Sequence, residues 1–306
     1  MPFGANLMVW ADNLPGGTMQ IGAVYREALQ KLNAFLNDRE VSSIEAYFIV
    51  SEVLKKDKTF LLTYPEYEIS DEEYDSIQKI VNERLSGRPI AHILGKREFW
   101  SLNLKVNEHT LIPRPDTETL VEQALLCASK FDSGVRLRIL DLGTGTGAVA
   151  LALKSELPDA VVDAVDYSEE ALKVAEFNST NLNLPINLIN SDWFSKIKAR
   201  HQYHLIVSNP PYIADNDPHL KEGDVRFEPR TALVAPMNGL YDILNIVRKS
   251  GDYLANNGYL LLEHGYQQAG DVKLLMNYAG FTQVETVKDL GYNDRVTLGC
   301  FNYKDK

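Results

Sequence analysis

Residues 138–147 have the sequence Arg138-Ile139-Leu140-Asp141-Leu142-Gly143-Thr144-Gly145-Thr146-Gly147, and this stretch decides the fold of the chain. A short apolar run leads into a glycine loop, and a helical pattern follows from Ala148 to about Glu156. A strand, a glycine loop and a helix in this order let the backbone approach a nucleotide-like ligand closely. The spacing is G-x-G-x-G and not the G-x-G-x-x-G of a pyrophosphate site. It therefore favours a ligand with an adenosine and an amino-acid arm but no phosphate.

The chain continues to alternate strands and helices after this loop. Residues 160–165 are predicted to form the second strand, which ends in Asp166, and residues 186–189 a third, which leads to Trp193. A carboxylate at the end of the second strand can accept hydrogen bonds from both hydroxyls of a ribose. Asp166 can instead be a turn or capping residue, and Trp193 can either grip an adenine ring or belong to the core.

A further apolar run, residues 205–207, ends in Asn209-Pro210-Pro211-Tyr212. Two prolines stiffen the turn and keep the Pro210 carbonyl and the Asn209 side chain aimed at one point. These oxygens can hold the N–H groups of a planar nitrogen that an enzyme alkylates, and Tyr212 offers an aromatic face for a flat amide or base. The alternative is an ordinary Asn-Pro turn that ends a strand.

The remaining segments predict one doubly wound sheet. Helices are expected over 239–257 and 267–278, and a strand over 259–263. Two final strands, near 281–287 and 295–301, are too close for a helical crossover and should pair antiparallel. The total is a seven-stranded sheet with one reversed strand.

The region from residue 20 to 92 has helix signals and no convincing strands. Ser42-x-x-Glu45 and Ser70-x-x-Glu73 both fit capping boxes, which predicts a small helical bundle. Apolar residues at every second position from 100 to 106 then predict a β-hairpin. The expected organisation is a tail or added segment over 1–19, a helical domain over 20–92, a hairpin linker over 93–112 and a catalytic domain over 113–306.

Composition restricts the class of protein. The chain has 306 residues, 45% hydrophobic content and a net charge of −11, which argues against a broad nucleic-acid surface. Its two cysteines, Cys127 and Cys300, form no close-spaced metal or redox pair, and reduced thiols in a cytoplasmic protein are expected. No export signal and no apolar segment of membrane-spanning length is evident, so neither a membrane nor a metal is expected.

Taken together, the motifs resemble the peptide chain release factor glutamine methyltransferases, the PrmC/HemK family. The resemblance runs from about residue 20 to about 301 and rests on several motifs in one order. These are Asp141 to Gly147, Asp166, Ser191-Asp192-Trp193-Phe194, Asn209-Pro210-Pro211-Tyr212, Ile112 to Glu118, Asp217 to Leu220, Gly223 to Pro229 and Leu261 to Gly265. The resemblance implies an S-adenosylmethionine-dependent methyltransferase (Rossmann-like) α/β domain, preceded by the helical bundle and the hairpin.

The same resemblance implies the reaction and its site. Members of the family use S-adenosylmethionine to methylate the side-chain amide nitrogen of the glutamine in the Gly-Gly-Gln motif of class 1 release factors. The cofactor would be bound by Gly143, Thr144, Gly145, Thr146, Gly147, Asp166, Trp193 and Asn209. The glutamine pocket would consist of Asn209, Pro210, Pro211 and Tyr212, of which Asn209, Pro210 and Tyr212 would be catalytic, and the helical domain would help to dock the release factor.

Other functions stay open on the sequence. Adenine amino-group methyltransferases of nucleic acids share the glycine loop and the Pro-Pro-aromatic turn, although they must flip a base. A paralogue that methylates a glutamine of a large-subunit ribosomal protein shares the Asn-Pro-Pro-Tyr turn. A non-catalytic module that binds release factor or ribosome, and a nicotinamide dehydrogenase, are the remaining alternatives; intact pocket residues and the glycine spacing disfavour them.

Overall fold

A computed structural model of the chain describes residues 19–198 and 201–303. The chain divides into two compact units, with the boundary between Ile90 and Ala91. Residues 1–18 of the predicted N-terminal segment lie outside the described residues. The predicted domain boundaries remain predictions.

The first unit is a helical bundle, as predicted. Its helices are α1 (Ile21–Leu36), α2 (Arg39–Leu54), α3 (Lys58–Thr63) and α4 (Asp71–Leu85). Apolar side chains spaced three or four residues apart on α1, α2 and α4 are buried: Val24, Ala28, Leu32, Ala46, Ile49, Val50, Ile77 and Val81. Ser70 and Glu73 form the predicted capping box at the start of α4, which satisfies two backbone N–H groups.

The capping box predicted at Ser42 and Glu45 is wrong. Helix α2 begins earlier, because the Asp38 side chain accepts hydrogen bonds from Glu40 N at 2.9 Å and Val41 N at 3.0 Å. Ser42 and Glu45 are buried inside the helix. Glu45 instead accepts from Arg84 Nε at 2.8 Å, a buried ion pair within the bundle.

The second unit begins in helix α5 (Ile90–Leu94), which is followed by the predicted hairpin. Strands β1 (Lys96–Phe99) and β2 (Leu102–Lys105) pair antiparallel. Trp100 and Ser101 connect them with φ angles of 52° and 57°, the left-handed pair that a two-residue turn between twisted strands requires.

The rest of this unit is the predicted seven-stranded sheet. Its strands are β3 (Arg138–Leu142), β4 (Val161–Asp166), β5 (Asn187–Asn190), β6 (Tyr203–Ser208), β7 (Leu254–Glu263), β8 (Phe281–Lys288) and β9 (Asp294–Phe301). The helices are α6 (Glu118–Ala128), α7 (Ala148–Glu156), α8 (Glu169–Asn181), α9 (Tyr241–Ser250) and α10 (Ala269–Tyr278). The strand order is β5-β4-β3-β6-β7-β9-β8, and β9 runs in the direction opposite to the other six strands.

Strand β3 is central, and its side chains alternate between the two faces of the sheet. Ile139 belongs to the hydrophobic cluster on one face, and Leu140 and Leu142 belong to the cluster on the other. From β3 the chain first moves outward to β4 and β5, and then returns to place β6 on the opposite side of β3. This reversal opens a crevice at the carboxyl ends of β3 and β6, where ligands of doubly wound sheets bind.

The helix predicted over 239–257 is too long. Helix α9 ends at Ser250, and Leu254 already belongs to β7, paired with Tyr203 of β6. The register then shifts before Leu205 pairs with Tyr259, and Asn257 has a φ of 61°. The sequence does not indicate the first residues of β7, because residues 255–258 lack the apolar run that indicates a strand at 259–263.

Among the described residues, no helix has the combination of length and apolar character needed to cross a membrane. Cys127 and Cys300 are both free and buried.

Candidate active site

A cavity of about 470 Å³ lies at the carboxyl ends of the central strands, within the size range of small-molecule sites. Four segments that follow β3, β4, β5 and β6 line it, together with the segment before α6, the loop before α9 and the first turn of α9. The lining includes most of the residues predicted to bind the cofactor: Gly143, Thr144, Gly145, Thr146, Asp166, Trp193 and Asn209.

The glycine loop presents open backbone to this cavity. Gly145 has a φ of 55°, and a Cβ added there would meet nothing within 4 Å, so a ligand can lie against it. Gly147 does not line the cavity. It is the N-cap of α7 with a φ of 82°, and a Cβ there would lie 3.1 Å from Leu151 Cδ1 and 3.3 Å from Ala175 Cβ. Gly147 therefore allows close packing, while Gly143 and Gly145 line the cavity.

Asp141 lies under the loop and anchors it. Its Oδ2 accepts a hydrogen bond of 2.6 Å from Thr144 Oγ1. Burial raises the pKa of Asp141 to about 7, although the hydrogen bonds from Thr144 and the Ala150 backbone act in the opposite direction. A cation in the cavity would favour the ionised form of this carboxyl group.

Asp166 ends β4 and holds the glycine loop from the other side. Its Oδ2 accepts from Gly145 N at 2.8 Å and its Oδ1 from Ser168 N at 2.9 Å. Burial raises its pKa, against the effect of these backbone hydrogen bonds. Each carboxylate oxygen can accept more than one hydrogen bond, so Asp166 can still bind ligand hydroxyls.

Trp193 forms a wall of the cavity. Its backbone has a φ of 45°, and its Cζ3 would lie 3.4 Å from a Cβ added at Gly143. The indole Nε1 donates to Asp242 Oδ1 at 3.2 Å, which fixes the plane of the ring. Trp193 thus lines the cavity and also packs against the adjacent core cluster, while its predicted contact with adenine stays a prediction.

Asn209 follows β6 directly and lies beside the glycine loop, because Ser208 pairs with Leu142 across β6 and β3. The Asn209 Nδ2 donates a 3.2 Å hydrogen bond to Thr117 Oγ1. Asn209 lines the cavity, and its Oδ1, which this hydrogen bond does not use, can act as an acceptor.

The other residues of the Asn209–Tyr212 turn differ in whether they line the cavity. Pro211 lines the cavity, whereas Pro210 is buried and Tyr212 does not line it. The Tyr212 hydroxyl donates to Glu263 Oε1 at 3.3 Å, and burial, followed by the charge of Glu263, raises the pKa of Tyr212. Tyr212 remains partly exposed, and its predicted contact with the substrate stays a prediction.

Glu263, at the end of β7, is 1% exposed. Burial raises its pKa to about 7, while Thr117, Arg295 and Tyr212 act to lower it. Its Oε2 has no hydrogen-bond partner among the described residues.

Contacts of the Glu228 side chain hold the loop before α9 at the cavity. The Glu228 side chain accepts from Ile112 N at 3.0 Å and also pairs with the Arg114 guanidinium. Burial raises the Glu228 pKa against the effect of Arg114. Pro229 and Thr231 from this loop line the cavity. These contacts hold the loop over the ligand space.

The charge of the cavity indicates which ligand it accepts. Four aspartates line it: Asp141, Asp166, Asp192 and Asp242. No lysine or arginine is among the described residues of the lining. Phosphate groups need cationic or dipolar partners, whereas a cationic ligand gains from nearby carboxylates. The lining therefore suits a positively charged ligand better than one that carries phosphate groups. Over the described parts of the chain, no group of three or more His, Cys, Asp or Glu is arranged to hold a metal ion.

Sequence reasoning did not predict several polar residues of this site. Thr117, Asp141 and Asp242 line the cavity but were not predicted as site residues. Asp141 could have been found, since an acid inside an apolar strand before a glycine loop is unusual. Nothing local marks Thr117 or Asp242, because only the fold brings α6 and α9 to the crevice.

A cavity at the switch point of a sheet with this strand order defines the S-adenosylmethionine-dependent methyltransferase fold. The solved structure of the delta-N METTL16 MTase domain has the same fold, with a TM-score of 0.51 at 16% identity over 67% of this chain and 90% of that chain. The family model described as methyltransferase small domain matches residues 121–223, and the PrmC N-terminal domain model matches residues 27–95.

Two proteins named release factor glutamine methyltransferase are similar over nearly the whole chain. The protein of Escherichia coli (strain K12) is 48% identical over 277 residues, which cover 90% of this chain and 97% of that protein. The protein of Aliivibrio fischeri (strain ATCC 700601 / ES114) is 45% identical over 288 residues, which cover 92% of this chain and 98% of that protein. This chain therefore belongs to the release factor glutamine methyltransferase family, and it is an enzyme of the methyltransferase class.

Proposed function

We propose that this enzyme transfers a methyl group from S-adenosylmethionine to the side-chain amide nitrogen of the glutamine in the Gly-Gly-Gln motif of class 1 release factors. The observation that carries the proposal is the placement of Asn209. Its Oδ1 is left as an acceptor beside the glycine loop, in a cavity that suits a cationic adenosine derivative. The names of the relatives support the release factor as substrate.

The residues of the cavity fit this cofactor. Gly143 and Gly145 would lie along its methionine arm, Asp166 would accept from its ribose, and the Trp193 ring would pack against its adenine. The carboxylates of the lining would attract its positive charge. When bound, S-adenosylmethionine supplies an electrophilic methyl group on its sulfonium sulfur.

The chain's own residues would orient the substrate amide. Asn209 Oδ1 and the Pro210 carbonyl would accept its two N–H bonds, and Tyr212 and Pro211 would bound the glutamine side chain. Holding two reactants at near-attack distance contributes roughly 7–11 kcal/mol to lowering a barrier. Aligned acceptors also stabilise the positive character that the nitrogen gains as it is alkylated. The displaced amide proton then leaves to water, so no dedicated general base is needed.

The helical domain over 20–92 would dock the release factor, as the family resemblance implies. The PrmC N-terminal domain model covers most of this range. The catalytic domain over 113–306 and the hairpin linker over 93–112 would supply the reaction site.

The direct test is transfer of labelled methyl from S-adenosylmethionine to a purified class 1 release factor. The matched control is the same factor with its Gly-Gly-Gln glutamine changed to alanine, and label on the first alone is expected. Label on a ribosomal protein or on nucleic acid, with none on the release factor, would move the substrate to another class. Absence of cofactor binding by calorimetry at millimolar concentration would refute the catalytic proposal.

Asn209→Ala tests the residue on which the proposal depends. We expect turnover to fall on the order of 100-fold or more, because an oriented polar group at the reacting atom is lost. Asn277→Ala is a matched control, since Asn277 is exposed on α10. Wild-type turnover in Asn209→Ala would remove Asn209 from the mechanism.

A further inference from the structure

Gln268 is the N-cap residue of α10, and its side-chain amide contacts three separate segments of the catalytic unit. Its Oε1 accepts a hydrogen bond of 2.8 Å from Gly265 N, in the loop after β7. Its Nε2 donates to Tyr212 O at 3.0 Å, at the end of the Asn209–Tyr212 turn. The same Nε2 donates to Asn238 O at 3.0 Å, in the loop before α9. One amide therefore links the turn after β6 to two neighbouring loops.

The partners of this amide determine its orientation. A backbone N–H can only donate, so the Gln268 atom that faces Gly265 N must be the oxygen. The backbone carbonyls of Tyr212 and Asn238 can only accept, so the atom that faces them must be the nitrogen. The amide nitrogen has two N–H groups, one for each carbonyl. The reversed orientation would lose all three hydrogen bonds.

Two glycines leave the space that the amide of Gln268 occupies. A Cβ added at Gly239 would lie 2.8 Å from Gln268 Nε2, and one added at Gly265 would lie 3.1 Å from Gln268 Oε1. The backbone N–H of Gln268 also donates to Gly265 O at 2.8 Å, so both its backbone and its side chain are bonded to the loop after β7. The amide is therefore closely packed and held in one position.

The Asn209–Tyr212 turn depends on contacts from outside it, because its two central residues are prolines. A proline has no N–H and cannot donate a hydrogen bond. At one end of the turn, Asn209 Nδ2 donates to Thr117 Oγ1 at 3.2 Å. At the other end, Tyr212 O accepts from Gln268 Nε2. Side chains from elsewhere in the chain therefore hold the turn at both ends.

We propose that Gln268 is a positioning residue that holds the Asn209–Tyr212 turn in place for methyl transfer. The inference rests on the proposed function, in which the Asn209 side chain and the Pro210 carbonyl orient the substrate amide. Gln268 is not among the described residues that line the cavity, so it acts on the reaction through the turn. A misplacement of about 1 Å near reacting atoms can lower turnover on the order of 100-fold. Loss of the Gln268 amide should therefore lower turnover and leave cofactor binding nearly unchanged.

The test compares two substitutions of Gln268 in the full-length enzyme. Gln268→Met keeps a side chain of similar length and removes the amide. Gln268→Glu keeps an acceptor for Gly265 N, but an ionised carboxylate cannot donate to the two carbonyl groups. Gln267→Met is the matched control, because Gln267 is the exposed neighbour, and its Nε2 donates to Tyr266 Oη at 3.1 Å. Turnover on the release factor and cofactor affinity by calorimetry are measured.

We expect kcat to fall about 10-fold or more in both Gln268 variants, with the cofactor Kd within about twofold of wild type. Gln267→Met should retain kcat within about twofold, because it changes an exposed side chain. The double variant Asn209→Ala/Gln268→Met should be at most about threefold slower than Asn209→Ala alone, since both changes act on one turn. General damage to the fold would instead multiply the two losses.

A measurement without substrate tests the hydrogen bonds of Gln268 directly. In the wild-type enzyme, NMR should show that the side-chain N–H groups of Gln268 exchange with water at least about 10-fold more slowly than those of Gln267. The reason is that Gln268 Nε2 donates to two backbone carbonyls, whereas the amide of Gln267 is exposed. Both signals come from the same sample, so Gln267 is an internal control.

Wild-type kcat in both Gln268 variants, or multiplied losses in the double variant, would overturn the inference. Equal losses of kcat and cofactor affinity would also overturn it, as would equal exchange rates for Gln267 and Gln268. If Gln268→Met does not fold, Gln268→Glu and the exchange measurement decide the result. Failure of the proposed function would look different, since the wild-type enzyme would not label the release factor although Gln268 exchanges slowly.

Discussion

Replacing Gly239 by alanine should displace the Asn209–Tyr212 turn from its place. Gly239 lies just before α9 with a φ of 83°, and its backbone packs against the carbonyl of Tyr212. A Cβ at this position would lie 1.9 Å from Tyr212 O and 2.5 Å from Tyr212 C. These are backbone atoms, so no flexible side chain can move aside.

The size of the effect follows from these distances. Real Cβ contacts essentially never fall below 3.0 Å, so the backbone must separate by at least 3.0 − 1.9 = 1.1 Å. A left-handed conformation costs a non-glycine residue about 1–2 kcal/mol, and overpacking costs about 1–3 kcal/mol. The free energy of unfolding should therefore fall by about 2–5 kcal/mol. A misplacement of about 1 Å near reacting atoms can also lower turnover on the order of 100-fold.

Denaturant unfolding and methyl-transfer assays measure the two effects. Gly270→Ala is the matched control, because a Cβ there meets nothing within 4 Å and the residue lies inside α10. Alanine in a helix is favoured over glycine by about 1 kcal/mol, so the control should be neutral or slightly stabilising. If Gly239→Ala unfolds within about 0.5 kcal/mol of wild type and keeps its turnover, the close packing of Gly239 on the turn is refuted.

Two further predictions concern acidic residues of the cavity. Burial raises the pKa of Asp141 from 3.8 to about 7, so the folded state holds a proton that the unfolded state has lost. The free energy of unfolding should fall as the pH rises from about 4 to about 7, by roughly 4 kcal/mol at most, and Asp141→Asn should flatten this slope in urea unfolding at pH 5 and pH 8. Asp166→Ala should weaken cofactor binding about 10–100-fold in calorimetry, because a hydrogen bond to a charged group contributes about 1.5–3 kcal/mol. Asp271→Ala, at an exposed position of α10, should bind normally.

Local patterns were sufficient where the signal is contained in neighbouring residues. The glycine loop predicted helix 148–156 with the bounds that the structure has, and Ser70 and Glu73 form the predicted capping box. Local patterns failed where two signals compete. Asp38 caps α2 four residues before Ser42, the cap that the sequence predicts, and the sequence pattern takes the irregular start of β7 for the end of a helix.

By itself, the sequence determined the order of strands and helices, the glycine loop, and the four residues that follow β6, because each depends on residues adjacent in the chain. Only the tertiary structure decided which side chains meet. Asn209 and Thr117 are 92 positions apart in the chain, yet the fold brings Asn209 Nδ2 within 3.2 Å of Thr117 Oγ1. Asn209 reaches the crevice beside the glycine loop because β6 is a neighbour of β3, and strand order is set by long-range packing that no local pattern encodes.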